Sequence, residues 1–401
     1  MKTLYYYQPH TLFNRVLRLP QITIQRKGIL SLFTTLTILL LPLSVQGQTS
    51  NKILINTGWE MQDAAIISKE GIKAGWEMEN AAKVPQEGKV ISTTKYKPSG
   101  WYKATVPGTV LTTLVNNGVY PEPLYGENNR PEVIPEYLCH TDWWYRNEVM
   151  IPDSYKNKTI WLNFDGINYS ADIWVNGHRV GPIKGAFIRG NFDITPFVKP
   201  GQTAIIAVRI SPQPNTGVPF EHIMGTVGGP CGGVGRLDGP TFGCSNGWDW
   251  LSGIRDRNSG IWQDVFLSAT GHVLMKDPLI TSALPLPHTD IASVTVQTTV
   301  QNTTGKVQKG IIKGSFDNIK FEKKVEIAPW RTLTFTFDPK DFAQLNIKNP
   351  KLWWPNGLGE QNLYSMHLSF EIDGKVSDEK EVTFGIREVS YDIPGSDNLG
   401  L

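Results

Sequence analysis

Tyr169-Ser170-Ala171-Asp172-Ile173-Trp174-Val175-Asn176-Gly177-His178-Arg179-Val180 is the stretch whose reading decides the fold class. Tyr169, Ala171, Ile173 and Val175 recur at every second position, the spacing that lines one face of a strand. Asn176-Gly177 follows at once, with Arg179 and Val180 beyond it. A two-residue hairpin turn needs positive φ at both central positions, which Asn and Gly tolerate best, so this stretch predicts a β-hairpin. Upstream, Ile160, Leu162 and Phe164 alternate in the same way; downstream, Ala204, Ile206, Val208 and Ile210 do so. Pro and Gly punctuate the intervals. Helical periodicity is weak, apart from a short turn at 110–116 after Pro107-Gly108-Thr109. Many short strands with turn signals predict an all-β sandwich of jelly-roll type over residues 48–275.

Asp277-Pro278 marks a change of composition toward Thr, Val and Lys. Ala292, Val294, Val296, Thr298 and Val300 alternate with polar residues, and strand-like runs follow at 307–316, 320–327, 332–337, 363–370 and 382–389. That density of short strands predicts an immunoglobulin-like sandwich over 276–390. The apolar segment Leu352-Trp353-Trp354-Pro355 interrupts it and reads as a plug between domains rather than a sugar site. Gly58-Trp59-Glu60-Met61-Gln62-Asp63-Ala64-Ala65 recurs as Gly75-Trp76-Glu77-Met78-Glu79-Asn80-Ala81-Ala82, a local duplication too small for a repeat architecture.

The chain's 401 residues suffice for two or three domains. Its 39 basic and 37 acidic residues leave +2. Residues 1–47 hold Lys2, Arg15, Arg18, Arg26 and Lys27 and no acidic residue, so removing them moves the balance to −3. A near-neutral body argues against nucleic acid or an anionic membrane as the main partner. Arg26-Lys27 precede an uncharged run from Gly28 to Pro42, and Val45-Gln46-Gly47 supplies residues that a signal peptidase reads. The expectation is a signal peptide over 1–47, cut after Gly47, and a secreted or periplasmic protein. An uncleaved anchor is the alternative; the apolar run is short for a membrane span, so stable insertion is not expected.

Cys139, Cys231 and Cys244 lack metal-binding spacing, and no metal or cofactor is expected. A secreted chain can bridge Cys231 to Cys244 across one loop, worth about 3 kcal/mol on the chain-entropy model. Three reduced thiols are the competing reading.

The chemistry concentrates in a long irregular segment. A glycine-rich run from Gly225 to Gly243 leads into Gly247-Trp248-Asp249-Trp250, then Arg255-Asp256-Arg257 and Gly260-Ile261-Trp262. A strand at 263–267 anchors it. Indole faces suit the C–H face of a pyranose, and carboxylate and guanidinium groups suit its hydroxyls. Equally, the tryptophans could plug the sandwich and Asp249 cap a turn. Gly233-Val234-Gly235-Arg236-Leu237-Asp238-Gly239 has no following helix to bind a phosphate. No Gly-x-Ser-x-Gly elbow is present. No carboxylate pair for glycoside hydrolysis stands out in either sandwich.

A succession of motifs then resembles the N-terminal part of glycoside hydrolase family 2. It runs through Val106-Pro107-Gly108-Thr109-Val110, Tyr120-Pro121-Glu122-Pro123-Leu124-Tyr125-Gly126 and Asp142-Trp143-Trp144-Tyr145-Arg146. Phe164-Asp165-Gly166-Ile167-Asn168-Tyr169, Val175-Asn176-Gly177-His178 and Phe192-Asp193-Ile194-Thr195 continue it. Gly247-Trp248-Asp249-Trp250, Gly260-Ile261-Trp262, Leu352-Trp353-Trp354-Pro355 and Phe384-Gly385-Ile386-Arg387 complete it. The chain looks closest to the exo-β-glucosaminidase and β-mannosidase branch. The resemblance implies a galactose-binding-like jelly roll followed by an immunoglobulin-like domain. It implies that Trp248 and Asp249 line the pocket for a terminal β-linked sugar. It does not extend to Arg255 and Arg257, which pair with neighbouring carboxylates on the plainer reading.

In that family both catalytic glutamates belong to a (β/α)8 barrel after the Phe-Gly-Ile-Arg motif. Such a barrel takes about 250 residues, and 13 follow Glu388 here. The expectation is therefore the N-terminal portion of a secreted retaining exo-β-glycosidase. Residues 391–401 would be a truncated linker, no residue of this chain would be catalytic, and the partners would be carbohydrate and a separately encoded barrel. A stand-alone lectin-like protein and a structural or adhesion protein are the rival readings.

Overall fold

The computed structural model describes residues 52–67, 83–214, 216, 218–219, 233–234 and 254–390. Cys231, Cys244, the second copy of the duplication, residues 391–401 and residues 1–51, which include the expected signal peptide, lie outside them. Two sandwiches follow one another, as the strand pattern predicts. The first contains β1 (Lys52–Leu54), β2 (Glu60–Asp63), β3 (Tyr102–Lys103), β4 (Trp143–Met150), β5 (Thr159–Phe164) and β6 (Ser170–Val175). It continues with β7 (His178–Lys184), β8 (Gly190–Asp193), β9 (Thr203–Ser211), the short pair β10 (Val218–Pro219) and β11 (Gly233–Val234), and β12 (Val265–Thr270). A six-stranded antiparallel sheet, β3-β2-β4-β9-β6-β7, faces a four-stranded one, β1-β12-β5-β8.

The alternation sets the core. Ile160, Leu162 and Phe164 from β5, Ala171, Ile173 and Val175 from β6, and Ala204, Ile206, Val208 and Ile210 around β9 meet in one buried cluster between the sheets. Asn176 and Gly177 turn the β6–β7 hairpin with φ of 49° and 85°. The Asn176 side chain also accepts from Ile205 N at 2.8 Å and donates to Phe197 O at 2.8 Å, pinning the turn to the head of β9.

The outer face of the larger sheet is also covered, and the sequence pattern does not foretell it. A helix at Lys83–Ile91 lies over this face, where Ile91, Trp144, Trp174 and Ala207 form a second cluster. Pro85 and Gly88 make this segment a poor helix former. Burial overrides propensity here: a Cβ at Gly88 would lie 2.2 Å from the Trp174 ring, so only glycine lets the helix approach the sheet. Arg146, 2% exposed, points to the same side and donates to Ile91 O at 3.1 Å and Thr93 O at 3.4 Å, satisfying carbonyls at the helix end.

The second sandwich contains β13 (Val273–Ala283), β14 (Ile291–Asn302), β15 (Gln308–Phe316), β16 (Ile319–Ile327), β17 (Thr332–Phe337), β18 (Asn346–Lys348), β19 (Tyr364–Ile372) and β20 (Lys375–Phe384). One sheet runs β13-β14-β17 with β18 on the end of β14, and the other runs β16-β15-β19-β20. Ala292, Val294, Val296 and Val300 face Ile312, Phe316, Leu368 and Phe370 in its core. Two local differences from the sequence reading have physical causes. Asp277-Pro278, read as a composition boundary, falls inside β13, where the register slips between Lys276 and Leu279 because proline cannot donate to the ladder. The last strand ends at Phe384 rather than 389, since an Asp373-Gly374 turn with φ of 49° and 73° starts it earlier. Trp353 packs on Gly385, and Arg387 sits 5.4 Å above its ring, contacts that lie within this sandwich.

At the junction, backbone N–H groups between 271 and 275 meet Ser377 and Asp378. Gly271 N donates to Ser377 O at 2.6 Å, and Val273 N donates to Ser377 Oγ at 2.9 Å. Met275 N donates to Asp378 Oδ2 at 2.7 Å. Lys380 Nζ donates to both oxygens of that carboxylate, at 3.1 Å to Oδ1 and 3.0 Å to Oδ2.

Candidate functional site at the root of the 217–253 segment

Trp248 and Asp249 lie outside the described residues, as does Trp250. The structure shows how the two ends of their segment are held. After Ile254 the chain makes a turn through Arg255, Asp256, Arg257 and Asn258, the last two with positive φ of 51° and 56°. The side chains of Arg255, Asp256 and Arg257 are all engaged with the sandwich.

Glu136, on a short 3-10 turn, takes both arginines. Arg255 Nη1 lies 2.9 Å from its Oε1 and Arg257 Nη2 lies 2.7 Å from its Oε2. Arg255 Nε also donates to Asn129 O at 2.6 Å. Arg257 Nε donates to Thr216 O at 2.7 Å, so one guanidinium ties the outgoing end of the segment to the incoming end. Side-chain exposure of 3%, 10% and 13% for Arg255, Arg257 and Glu136 makes this a shielded, two-to-one ion cluster. In such a setting the charges depend on one another, because any one left alone would be costly.

Asp256 is fully buried beneath them. Its Oδ2 accepts from Leu111 N at 2.7 Å, in the first turn of the helix Val110–Asn116, and its Oδ1 accepts from Asn258 N at 2.8 Å. Burial raises its carboxyl above the ordinary aspartate range, while these N–H groups, Thr109 and Arg257 pull the other way. Thr109 caps the same helix by accepting from Thr112 N at 3.2 Å. The short turn expected at 110–116 is therefore a helix whose N-terminus receives the root of the segment.

Asn168 closes the arrangement from below, donating to Arg257 O at 2.9 Å and Asn258 O at 3.0 Å. Gly260 pairs with Asn168, and a Cβ there would lie 2.5 Å from Gly108 O, so the Gly-Ile-Trp motif needs glycine for close backbone passage. Trp262 then seats its indole, donating Nε1 to Ala186 O at 2.9 Å.

Glu136, Cys139 and His140 bring three metal-ligating atoms within 4.8 Å of one another. They make a poor metal centre. Both Glu136 oxygens are taken by arginine, and burial pushes the Cys139 thiol up, away from the thiolate that a metal requires. Cys139 is a buried free thiol that donates to Glu136 O at 3.1 Å. Among the described residues no helix is long and apolar enough to cross a membrane.

Arg255 and Arg257 thus behave as the plainer reading expects, as partners of a carboxylate. Glu136 and Asn168 were not singled out from sequence. The signal was the Arg-Asp-Arg triplet itself: two close arginines flanking an aspartate near a buried strand demand a distant acid.

A jelly roll that roots a tryptophan-rich segment, followed directly by an immunoglobulin-like sandwich, is the succession that the sequence resemblance implies. Residues 76–263 match the family model described as glycosyl hydrolase 2 galactose-binding domain-like, and residues 276–387 match that of glycosyl hydrolases family 2. The chain belongs to glycoside hydrolase family 2. The exo-beta-D-glucosaminidase of Streptomyces avermitilis is 32% identical over 303 residues, which is 75% of this chain and 30% of that protein. The mannosylglycoprotein endo-beta-mannosidase of Lilium longiflorum is 32% identical over 325 residues, 75% of this chain and 32% of that protein. The chain spans about a third of the length of these relatives. The crystal structure of Amycolatopsis orientalis exo-chitosanase CsxA has the same fold over 86% of this chain and 35% of its own, with a TM-score of 0.65 at 24% identity.

Proposed function

We propose that this chain is the N-terminal portion of a secreted, retaining exo-β-glycosidase of the glucosaminidase and mannosidase branch. Its own contribution is a wall of the sugar pocket, through Trp248 and Asp249, and a scaffold for the catalytic domain. Retaining hydrolysis needs two carboxyl groups about 5–5.5 Å apart, one as nucleophile and one as acid and then base. In this reading both come from a (β/α)8 barrel encoded separately or further along, and the chain alone turns over no substrate.

The observation that carries the reading is the buried Glu136–Arg255–Arg257 cluster with Asp256 beneath it. Such a root is more than a surface loop needs to close. It fits a segment whose tip must meet a second domain in one position, since a displaced contact group costs rate steeply. The test is a hydrolysis assay of the purified 401-residue chain with p-nitrophenyl β-D-glucosaminide and β-D-mannoside. No turnover is expected. Turnover that Trp248→Ala removes would overturn the reading, because the chain would then own a complete active site.

A further inference from the structure

The turn after β7 and the end of the Gly260-Ile261-Trp262 run enclose an open groove of about 560 Å³ at the edge of the first sandwich, reaching Asp277 at the start of the second. Its apolar wall is fixed. Trp262 is held by its bond to Ala186 O at 2.9 Å and lies so close to Gly166 that a Cβ there would be 2.9 Å from the indole Cε2. Phe187 stands edge-on to it, with ring centroids 5.9 Å apart at 85°. Phe187 and Ile188 are 52% and 50% exposed, which is high for apolar side chains on a short turn.

The polar wall has capacity to spare. Asn191 donates its amide to Asn163 Oδ1 at 2.8 Å, which leaves its own carbonyl oxygen without a protein donor among the described residues. The Gln263 side-chain amide makes no protein hydrogen bond among the described residues. Arg189 stands 3.6 Å from Asp165 and 3.9 Å from Asp277, beyond hydrogen-bond reach of either, so both carboxylates can accept from a ligand's hydroxyls and the guanidinium can donate to them. Rings beside an amide, carboxylates and a guanidinium match one ligand chemistry, a pyranose with an apolar C–H face and a rim of hydroxyls. Asp165 and Asp277 outnumber Arg189, so an anionic sugar is disfavoured.

We propose that this groove is a second saccharide site, taking neutral or amino-sugar units of a β-linked oligosaccharide, separate from the contact proposed for Trp248 and Asp249. The inference does not rest on the proposed function, since it needs neither a barrel nor turnover. The test is calorimetry on the purified 401-residue chain with cellotetraose, with the β-1,4-linked glucosamine tetramer and with tetragalacturonate. The first or second binds with a Kd of about 1 mM or tighter, and the pair of titrations separates neutral from amino sugar. Phe187→Ala weakens that binding between about two- and tenfold, and Trp248→Ala leaves it unchanged. Gln263→Ala, at a half-buried position outside the apolar core, weakens it in the same direction and decides the matter if Phe187→Ala lowers the melting temperature. No binding by either sugar, tetragalacturonate binding at least as tightly, or loss of binding in Trp248→Ala would overturn the proposal.

Discussion

The two sandwiches solve the same packing problem with different materials. The second is held by alternation alone: apolar residues at every second position of β14, β15 and β19 meet in one core, and among its described residues Asp378 is the only charged one that is buried. The first adds buried charge. Arg146 receives the end of a helix on the outside of its sheet, and Arg255, Asp256 and Glu136 receive the root of a long segment. Where strands pair in sequence, backbone ladders and hydrocarbon suffice. Where irregular chain must be fixed in one place, directional charged contacts do the fixing, at a desolvation cost that pure packing avoids.

The largest expected effect breaks this contrast at its centre. Glu136→Ala strands two shielded guanidinium groups and should lower the unfolding free energy by about 3–5 kcal/mol, read by urea denaturation of the purified chain. A loss under about 1 kcal/mol would mean that the cluster is solvated and that the two sandwiches do not differ as described. Gly88→Ala comes next. Forcing a Cβ against Trp174 should cost about 1–3 kcal/mol and detach the Lys83–Ile91 helix from the sheet, visible as raised tryptophan exposure to a quencher.

Asp256→Asn sharpens the comparison through pH. Replacing one carboxylate oxygen by an amide sets a donor against a backbone donor, either Leu111 N or Asn258 N, and should cost about 1–3 kcal/mol. Burial holds the Asp256 carboxyl above its ordinary value, so the folded state keeps this proton more tightly than the unfolded one. That contribution is complete below about pH 4, the usual aspartate value, and is lost as pH rises through the raised folded value. The penalty of Asp256→Asn should therefore be greatest at acid pH and shrink toward neutrality. A penalty that grows with pH would show the group ionised more readily in the fold than free. The smallest effect belongs to the second sandwich: Lys309→Ala removes an exposed pair with Glu326 and should move the melting temperature by less than about 2 °C.

Much of this fold was legible because period-two patterning and turn chemistry are local. The Asn176-Gly177 hairpin and the core faces of β5, β6, β9 and β14 follow from residues close in sequence. The Lys83–Ile91 helix was not legible, because Pro85 and Gly88 argue against it and only Trp174, far along the chain, explains the glycine. Glu136 was invisible for the same reason, being 119 and 121 residues from the arginines it holds. The Asp373-Gly374 pair carries the same hairpin signal, and it sets the last strand to start before the apolar alternation at 382–389 suggests. For the site, residue chemistry left Gly247-Trp248-Asp249-Trp250 open between sugar contact and a structural plug, the resemblance favoured Trp248 and Asp249 as sugar contacts, and neither named Glu136 as the partner of Arg255 and Arg257.

The bond from Arg257 Nε to Thr216 O spans a sequence separation of 41 at 2.7 Å. It works as a collar, because the excursion between its ends starts and finishes at one gap whose geometry owes nothing to what it encircles. The entropy of closing such an excursion grows only logarithmically with its length. Grafting another segment through the same collar should thus leave the first sandwich about as stable as before, which makes the root a fixed socket and whatever it encircles exchangeable.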